Sequence, residues 1–182
     1  MCNKIIFIIF LLLLLCLHFD VADKIRYIST ERPHVMYYNR KFLSYVNITS
    51  RRFSRKNPFY YVDLHFNILR SIDNNFTMNF YFAQDVGNGH FRVILDMHEK
   101  WCQFITMDNI FGVAMKQGKL LKPCPHPPGD YHLYNMSIPV ENIPRSLPYL
   151  KGRIYSNITH TSLKEPICSG YIDMEIKDYK KQ

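Results

Sequence analysis

Apolar and polar residues alternate with a period of two along much of the chain, a pattern typical of β-strands with one buried face. Three consecutive segments show it, residues 59–69, 75–83 and 90–98, and the connectors between them are short and carry turn residues. We therefore expect a three-stranded antiparallel meander. Its apolar face would carry Val62, Leu64, Phe66 and Ile68, then Phe76, Met78, Phe80 and Phe82, then Phe91, Val93, Leu95 and Met97.

Four N-x-S/T sequons, at Asn47, Asn75, Asn135 and Asn157, check independently which residues face inward. A glycosylated asparagine must face solvent, so its immediate neighbours on a strand face the core. Strands also resume in residues 130–139, 152–159 and 168–177, which predicts an all-β sandwich of roughly seven or eight strands. The neighbours expected to face inward are Val46, Ile48, Phe76, Tyr134, Met136 and Ile158.

One segment departs from the alternation and follows a helical period instead. Asp108 is expected to cap one short helix that runs to Gln117, and Gly118 is expected to end it. The apolar stripe of this segment consists of Trp101, Phe104, Ile105, Ile110, Phe111 and Ala114.

The N-terminus carries a pattern typical of a secretory signal. Lys4 precedes an apolar run over residues 5–17, and small residues follow at Val21 and Ala22. The run is shorter than the ~20 residues that span a bilayer. We expect a signal peptide over residues 1–22 and a single secreted, extracellular domain over residues 23–182, with no stable membrane insertion.

The formal net charge is +8. Outside the cell, a basic surface favours acidic glycans, an acidic receptor or anionic lipid headgroups over nucleic acid, and it also keeps an aromatic-rich protein soluble. Arg51, Arg52, Arg55 and Lys56 concentrate this charge. Their cluster fits a solvated loop, a patch for an acidic partner or a protease processing site.

Three cysteines lie beyond the N-terminal apolar run, at Cys102, Cys124 and Cys168. Two of them combine with His98 and His126 into a nominal zinc set, but the spacings differ from those of structural zinc sites. The secretory pathway also favours oxidation over thiolate ligands. His98 fits a solvent-facing strand position and His126 a solvated loop residue, so we expect no metal.

A disulfide is the simplest role for Cys102 and Cys124, because it would close a loop of about twenty residues and contribute roughly 3 kcal/mol. Cys168 would then be a buried, inert thiol, since it lies an even number of residues from Ile172 and Met174 on the expected strand and so shares their face. Pairing of Cys168 with Cys102 or Cys124 is the alternative.

No motif supplies an acid, a base and a nucleophile together, so we expect neither an enzyme nor a cofactor. The 13 Phe and 13 Tyr residues fit two kinds of interior. They either fill the space between two sheets or line a cavity for an apolar ligand. The residues expected to line such a cavity are Leu64, Phe66, Phe80, Phe82, Phe91 and Val93.

Several segments in order resemble one known family. They are EKWCQF at 99–104, the helical segment, KPCPHPPGDY at 122–131, the proline-containing residues 141–155 and a final strand. Together they resemble the insect secreted family of domain of unknown function 1091, over roughly residues 40–178. That family is similar to the ML lipid-recognition sandwiches and to GM2-activator-like chemosensory proteins.

The resemblance implies an immunoglobulin-like, two-sheet antiparallel sandwich with one short helix, and the Cys102–Cys124 pair. It also implies a non-catalytic protein that holds a lipid or chemosensory hydrocarbon between its sheets. The alternative function is an extracellular interaction protein with a filled core, which would act through its basic loops on a receptor or an acidic glycan.

Overall fold

The computed structural model describes residues 24–120, 123–143 and 151–180. The expected signal peptide over residues 1–22 lies outside these ranges. By its contacts the chain divides into two compact units, one of residues 26–177 and one of the two chain ends. The described residues of the second unit, 24–25 and 178–180, are strand. The description below concerns the first unit.

The described residues form eight β-strands, two short α-helices and one turn of 3₁₀ helix at Val140–Asn142. A five-stranded sheet has the order β1-β8-β7-β4-β5, and a three-stranded sheet has the order β2-β3-β6. The predicted all-β, two-sheet antiparallel sandwich is therefore confirmed. The elements are β1 (Lys24–Tyr38), β2 (Leu43–Arg51), β3 (Tyr61–Ile68), β4 (Phe76–Asp85), β5 (Phe91–Lys100), α1 (Trp101–Met107), α2 (Phe111–Gln117), β6 (Gly129–Met136), β7 (Lys151–His160) and β8 (Glu165–Lys180).

The predicted three-stranded meander is wrong, because β3 and β4 belong to different sheets. β3 pairs with β2 and β6, whereas β4 pairs with β5 and β7. The connector between β3 and β4 crosses from one layer to the other, and on the way Ile72 forms an isolated bridge with His126. Alternation of apolar residues specifies which face of a strand is buried but not which strand is its neighbour.

A β-bulge reverses the facing of the first half of β5. Phe82 lies opposite Leu95, but the next residue of β4, Ala83, lies opposite Val93, so Ile94 is an extra residue in β5. Opposite residues of an antiparallel pair share a face, while consecutive residues face opposite ways. Leu95 therefore shares the inner face with Phe82, and Val93 faces outward. The expectation of one shared face is wrong for Phe91 and Val93 and holds for Leu95 and Met97.

Two helices stand where one was expected. The first ends at Met107 and the second begins at Phe111. Asp108 Oδ1 accepts the amide N–H groups of the first two residues of the second helix, Phe111 at 2.5 Å and Gly112 at 2.8 Å. The predicted capping role of Asp108 is thus confirmed. The helix ends at Gln117 as predicted. Gly118 follows it, and a Cβ there would lie 2.6 Å from Met136 Cγ, so close packing on β6 requires the glycine.

A second bulge lies in β6 beside one of the sequons. Val62 lies opposite Met136 and Leu64 opposite Leu133, so β6 carries an extra residue there. Asn135 has a φ of 55°, in the left-handed region that asparagine tolerates better than most residues. Because of this bulge, Tyr134 is exposed, and the prediction that it faces inward is wrong.

Candidate functional site

The stretch 123–131 forms a structural clamp over the start of α1. Cys124 is bonded to Cys102, across a sequence separation of 22 residues. The predicted disulfide is therefore confirmed. Beside it, the backbone N–H and C=O of His126 pair with those of Ile72 at 2.9 and 3.0 Å. The clamp thus joins three segments of chain: the connector after β3, the start of α1 and the turn before β6.

His126 is the residue of this clamp that the sequence placed wrongly. It was expected to be a solvated loop residue, yet its side chain is completely buried. Trp101 donates its indole Nε1–H to Nδ1 of His126 at 2.9 Å. The ring of Tyr131 lies 5.9 Å from the imidazole in an edge-on arrangement. A buried indole N–H needs an acceptor, and His126 supplies it.

The zinc alternative is excluded because the two sulfur atoms of the nominal zinc set, those of Cys102 and Cys124, are joined in the disulfide. Across the described ranges, no group of three or more His, Cys, Asp or Glu side chains is placed to hold a metal ion. His98 instead contacts Asn79 Oδ1 through Nδ1 at 2.7 Å and Asp96 Oδ2 through Nε2 at 3.3 Å. Both contacts lie on the outer side of the β4–β5 pair.

Cys168 is a free thiol. It lies on β8 opposite Ile158 and packs against the hydrophobic core. Burial raises the pKa of the Cys168 thiol to about 11. Because Cys102 and Cys124 are bonded to each other, the alternative pairings of Cys168 with either of them are wrong. The surroundings of Cys168 favour a protonated, weakly reactive thiol.

Two of the residues expected to line a ligand cavity are packed tightly against other rings. Phe66 stacks on Tyr131 with ring centroids 5.1 Å apart. Phe80 stacks on Phe111 at 4.4 Å, and the ring of Phe104 lies 5.3 Å from it. Both Phe66 and Phe80 are buried in the core. These rings fill the space between the sheets at their own positions.

The inner face of the five-stranded sheet is uncovered at one place on β5, around Ile94 and Leu95. Leu95 belongs to the face that carries the buried Phe80, yet its side chain is 45% exposed. The neighbouring Ile94 is 40% exposed, and Phe82 is half-buried with its ring 5.8 Å from Phe111. We call Phe82, Ile94, Leu95 and Phe111 the open edge. A cleft that Phe82 and Ile94 line has a volume of about 10 Å³, room for about one water molecule.

Phe91 and Val93 lie on the opposite side of the same sheet and so cannot line the surface formed by Phe80 and Phe82. Phe91 packs beneath the guanidinium of Arg153, whose Cζ is 4.7 Å from its ring centroid. The same guanidinium lies 3.8 Å from the ring centroid of Tyr171 and pairs with Asp173 at 2.7 Å. Leu64, on β3, is half-buried and packs against the core.

The four sequons lie on strands or at strand ends. Asn47, Asn75 and Asn135 are exposed, and Asn157 is half-buried on β7. The side-chain oxygen of Asn135 accepts a hydrogen bond from Arg51 Nη2 at 2.8 Å, which holds the amide group in place. These positions are compatible with the expected glycosylation, which stays a prediction.

All four residues of the basic cluster are exposed, and two of them are also anchored by contacts. Arg51 pairs with Asp63 at 2.9 Å, and its guanidinium also lies over the ring of Phe53 at 4.8 Å. Arg52 lies over the ring of Tyr60 at 5.3 Å. The exposed positions beyond them are Arg55 and Lys56. The cluster thus lies on a loop that is anchored at its start and presents its charge to solvent.

Asp63 holds this loop to the bulge of β6. It accepts hydrogen bonds from the amide N–H of Asn135 at 2.7 Å and from Arg51 Nε at 2.9 Å. Burial of the carboxyl raises its pKa, but these two hydrogen bonds and the charge of Arg51 outweigh burial, so the pKa of Asp63 lies below its usual value. The carboxylate is therefore the form that the fold stabilises.

Residues 75–154 match the model of the family described as Protein of unknown function (DUF1091). The match begins beside β4, includes both helices and the clamp, and ends in β7. It agrees with the resemblance seen in the sequence over that part of the chain. A search of the curated proteins found no match. In the described part of the chain, no helix has both the length and the apolar character needed to cross a membrane.

Proposed function

We propose that this protein is secreted and binds a small hydrophobic ligand, such as a lipid or hydrocarbon, at the open edge. The observation that carries the proposal is the exposure of Leu95 on the face that elsewhere forms the core. Apolar surface left in water costs about 25 cal/mol per Å². An apolar molecule that covers Leu95, Ile94 and Phe82 would recover that cost. No motif for catalysis accompanies these residues, so the proposed role is binding or carriage.

The packing of Phe66 and Phe80 directs the ligand to the edge and away from the middle of the sandwich. Both rings already have stacked partners, and displacing either would open a gap in the core. A ligand seated at the edge needs only the half-buried Phe82 to turn aside, since Phe111 can stay stacked on Phe80. We therefore expect a ligand that lies between β5 and α2, with part of its length in solvent.

A second candidate function is that of an extracellular interaction protein with a filled core. The stacked rings favour it, and so does the exposure of Arg55 and Lys56 on an ordered loop. Its partner would be an acidic receptor surface or a glycan. The two candidates use different faces of the molecule, so they predict different results for the same variants.

Titration with an apolar fluorescent probe tests the proposal with a matched pair of variants. Leu95 and Val93 are two residues apart on β5 and are 45% and 56% exposed, yet the bulge places them on opposite faces. Leu95→Glu places a charge in the proposed site and should weaken probe binding at least about tenfold, since burying a charge against an apolar ligand is costly. Val93→Glu adds the same charge outside the site and should leave probe binding unchanged.

Native mass spectrometry of the secreted protein gives a second readout, which needs no probe. A co-purifying apolar molecule that is present in the Val93→Glu variant and absent from Leu95→Glu would support the open edge. Absence of both a co-purifying ligand and probe uptake in the unmodified protein would overturn the carrier proposal. Equal loss of binding in both variants would place the ligand elsewhere.

A further inference from the structure

The outer face of the three-stranded sheet brings two histidines into direct contact. His65 on β3 lies opposite His132 on β6, and their Nδ1 atoms are 2.9 Å apart. Opposite side chains of an antiparallel pair have Cβ atoms only about 5 Å apart, so the strand register itself holds the two rings together. His132 is exposed and His65 is half-buried, so dissolved ions reach both rings.

We propose that His65 and His132 bind a divalent transition-metal ion through their Nδ1 atoms, with water completing the coordination. Bonds from imidazole nitrogen to such ions are about 2.0–2.1 Å long. Two bonds of that length that end on nitrogens 2.9 Å apart meet at an angle of about 90°. The pair therefore fits two neighbouring positions of a tetragonal or octahedral site, the geometries of Cu²⁺ and Ni²⁺.

Tetrahedral Zn²⁺ fits less well, because its bond angles would need the two nitrogens to separate to about 3.4 Å. Among divalent ions of this series, Cu²⁺ binds nitrogen ligands most strongly. With two protein ligands the site holds its ion less tightly than a closed four-ligand structural site would. We therefore expect Cu²⁺ to bind first, then Ni²⁺, and Zn²⁺ more weakly than Cu²⁺.

The surroundings of the pair restrict its rings and favour a cation. The ring of Tyr134 lies 5.0 Å from that of His65, edge-on, and 6.4 Å from that of His132, stacked. Asp130, two residues before His132 on β6, lies on the same outer face. It accepts hydrogen bonds from Tyr45 Oη at 3.0 Å and Asn67 Nδ2 at 2.9 Å. A carboxylate at this position draws cations toward the imidazoles.

A hydrogen bond between two neutral imidazoles is the other arrangement that fits the same distance. In it one ring donates its Nδ1–H to the lone pair of the other. A metal ion replaces that proton: both rings then carry their proton on Nε2, and both Nδ1 lone pairs point to the ion. The two arrangements differ in the number of imidazole nitrogens that coordinate a bound metal ion.

Titration of the purified protein with Cu²⁺, followed by electron paramagnetic resonance, tests the proposal. We expect one tight equivalent of Cu²⁺ with two imidazole nitrogens in its coordination plane. His65→Asn and His132→Asn should each lower the association constant at least about tenfold, and the double variant should lose the tight equivalent. His90→Asn, at an exposed position in the β4–β5 turn, is the matched control and should leave binding unchanged.

A second measurement uses the unmodified protein alone. Paramagnetic Cu²⁺ at well below one equivalent should broaden the ring resonances of two histidines before those of the others. The proposal is overturned if the spectrum shows one imidazole nitrogen or none. It is also overturned if the double variant, shown by circular dichroism to be folded, binds Cu²⁺ as tightly as the unmodified protein.

Discussion

Trp101 donates its indole N–H to Nδ1 of His126 across 2.9 Å, and both side chains are buried. Trp101 is the first residue of α1, and His126 lies in the turn before β6. The Cys102–Cys124 disulfide joins the same two segments, because Cys102 directly follows Trp101 and Cys124 lies two residues before His126. The hydrogen bond and the covalent bond therefore hold the same two segments together, so removal of either one leaves the other to hold this junction.

Replacement of His126 by alanine should lower the free energy of unfolding by about 3 kcal/mol. The change removes a buried ring and leaves the indole N–H without its acceptor. The protein has one tryptophan, so urea denaturation followed by Trp101 fluorescence reports on this junction directly. His90→Ala, at an exposed turn position, should cost less than about 0.5 kcal/mol. Equal effects of the two substitutions would contradict the buried role of His126.

Removal of the disulfide by Cys102→Ala together with Cys124→Ala should also cost about 3 kcal/mol. The bridge spans 22 residues, and closing a loop of that size restricts the unfolded chain by about this free energy. Because the bridge and His126 support one junction, the combined variant should lose a different free energy from the sum of the separate losses. Simple additivity, measured in the same urea titrations, would show that the two bonds act independently.

The alternation of apolar residues predicted the class of fold correctly because burial of one strand face is a local property. Phe76, Met78 and Phe80 are buried on one face of β4, as their spacing indicates. Strand order is not local, and β3 was assigned to the wrong sheet because a short connector fits both a hairpin and a crossing between layers. Strand β1, which ends at Tyr38, was not predicted.

The candidate site was only partly predictable. Its prediction assumed strict alternation along each strand, and two bulges change which residues face the core. Ile94 is an ordinary strand-forming residue, and nothing in its type marks it as the extra residue that turns Phe91 and Val93 outward. At the second bulge a signal was available. Asparagine tolerates a positive φ better than most residues, so Asn135 near the end of β6 indicated a place where Tyr134 could face solvent.

His126 shows a different limit. A histidine among prolines resembles a solvated loop residue, and its burial depends on a partner 25 positions earlier, Trp101. The sequence does contain a hint, since a buried tryptophan needs an acceptor for its N–H. Choosing the acceptor from eight histidines required the fold.

Asp63 should make the stability of the protein depend on pH in the acid range. Its pKa is lower in the folded chain than its usual value. A carboxyl of this kind contributes stability above its unfolded pKa, about 3.9, and that contribution is lost as pH falls through the folded pKa. Asp63→Asn should reduce the free energy of unfolding at pH 7 by about 1–3 kcal/mol, since it breaks charge-assisted hydrogen bonds.

Urea titrations at pH 7 and at pH 3 measure this effect. The difference in stability between unmodified protein and Asp63→Asn should shrink as pH falls, because acid removes the charge that the variant already lacks. Asp96→Asn provides a control, as the side chain of Asp96 is 63% exposed on β5. A gap between Asp63→Asn and the unmodified protein that stays constant from pH 7 to pH 3 would contradict the role of the charge.

Cys168 should react slowly with thiol reagents in the folded protein, because the thiolate is the reactive form. Its pKa is raised to about 11, so roughly 0.1% of it is ionised at pH 8, against about a quarter of an ordinary cysteine thiol with a pKa near 8.5. Alkylation at pH 8 should therefore be about two hundred times slower than in urea. The rate should rise about tenfold per pH unit toward pH 11 while the protein stays folded.

Peptide mapping without reduction measures the rate at Cys168 and reports the Cys102–Cys124 bridge in the same digest. A folded-state rate within about tenfold of the rate in urea would show that the thiol is accessible and ionised.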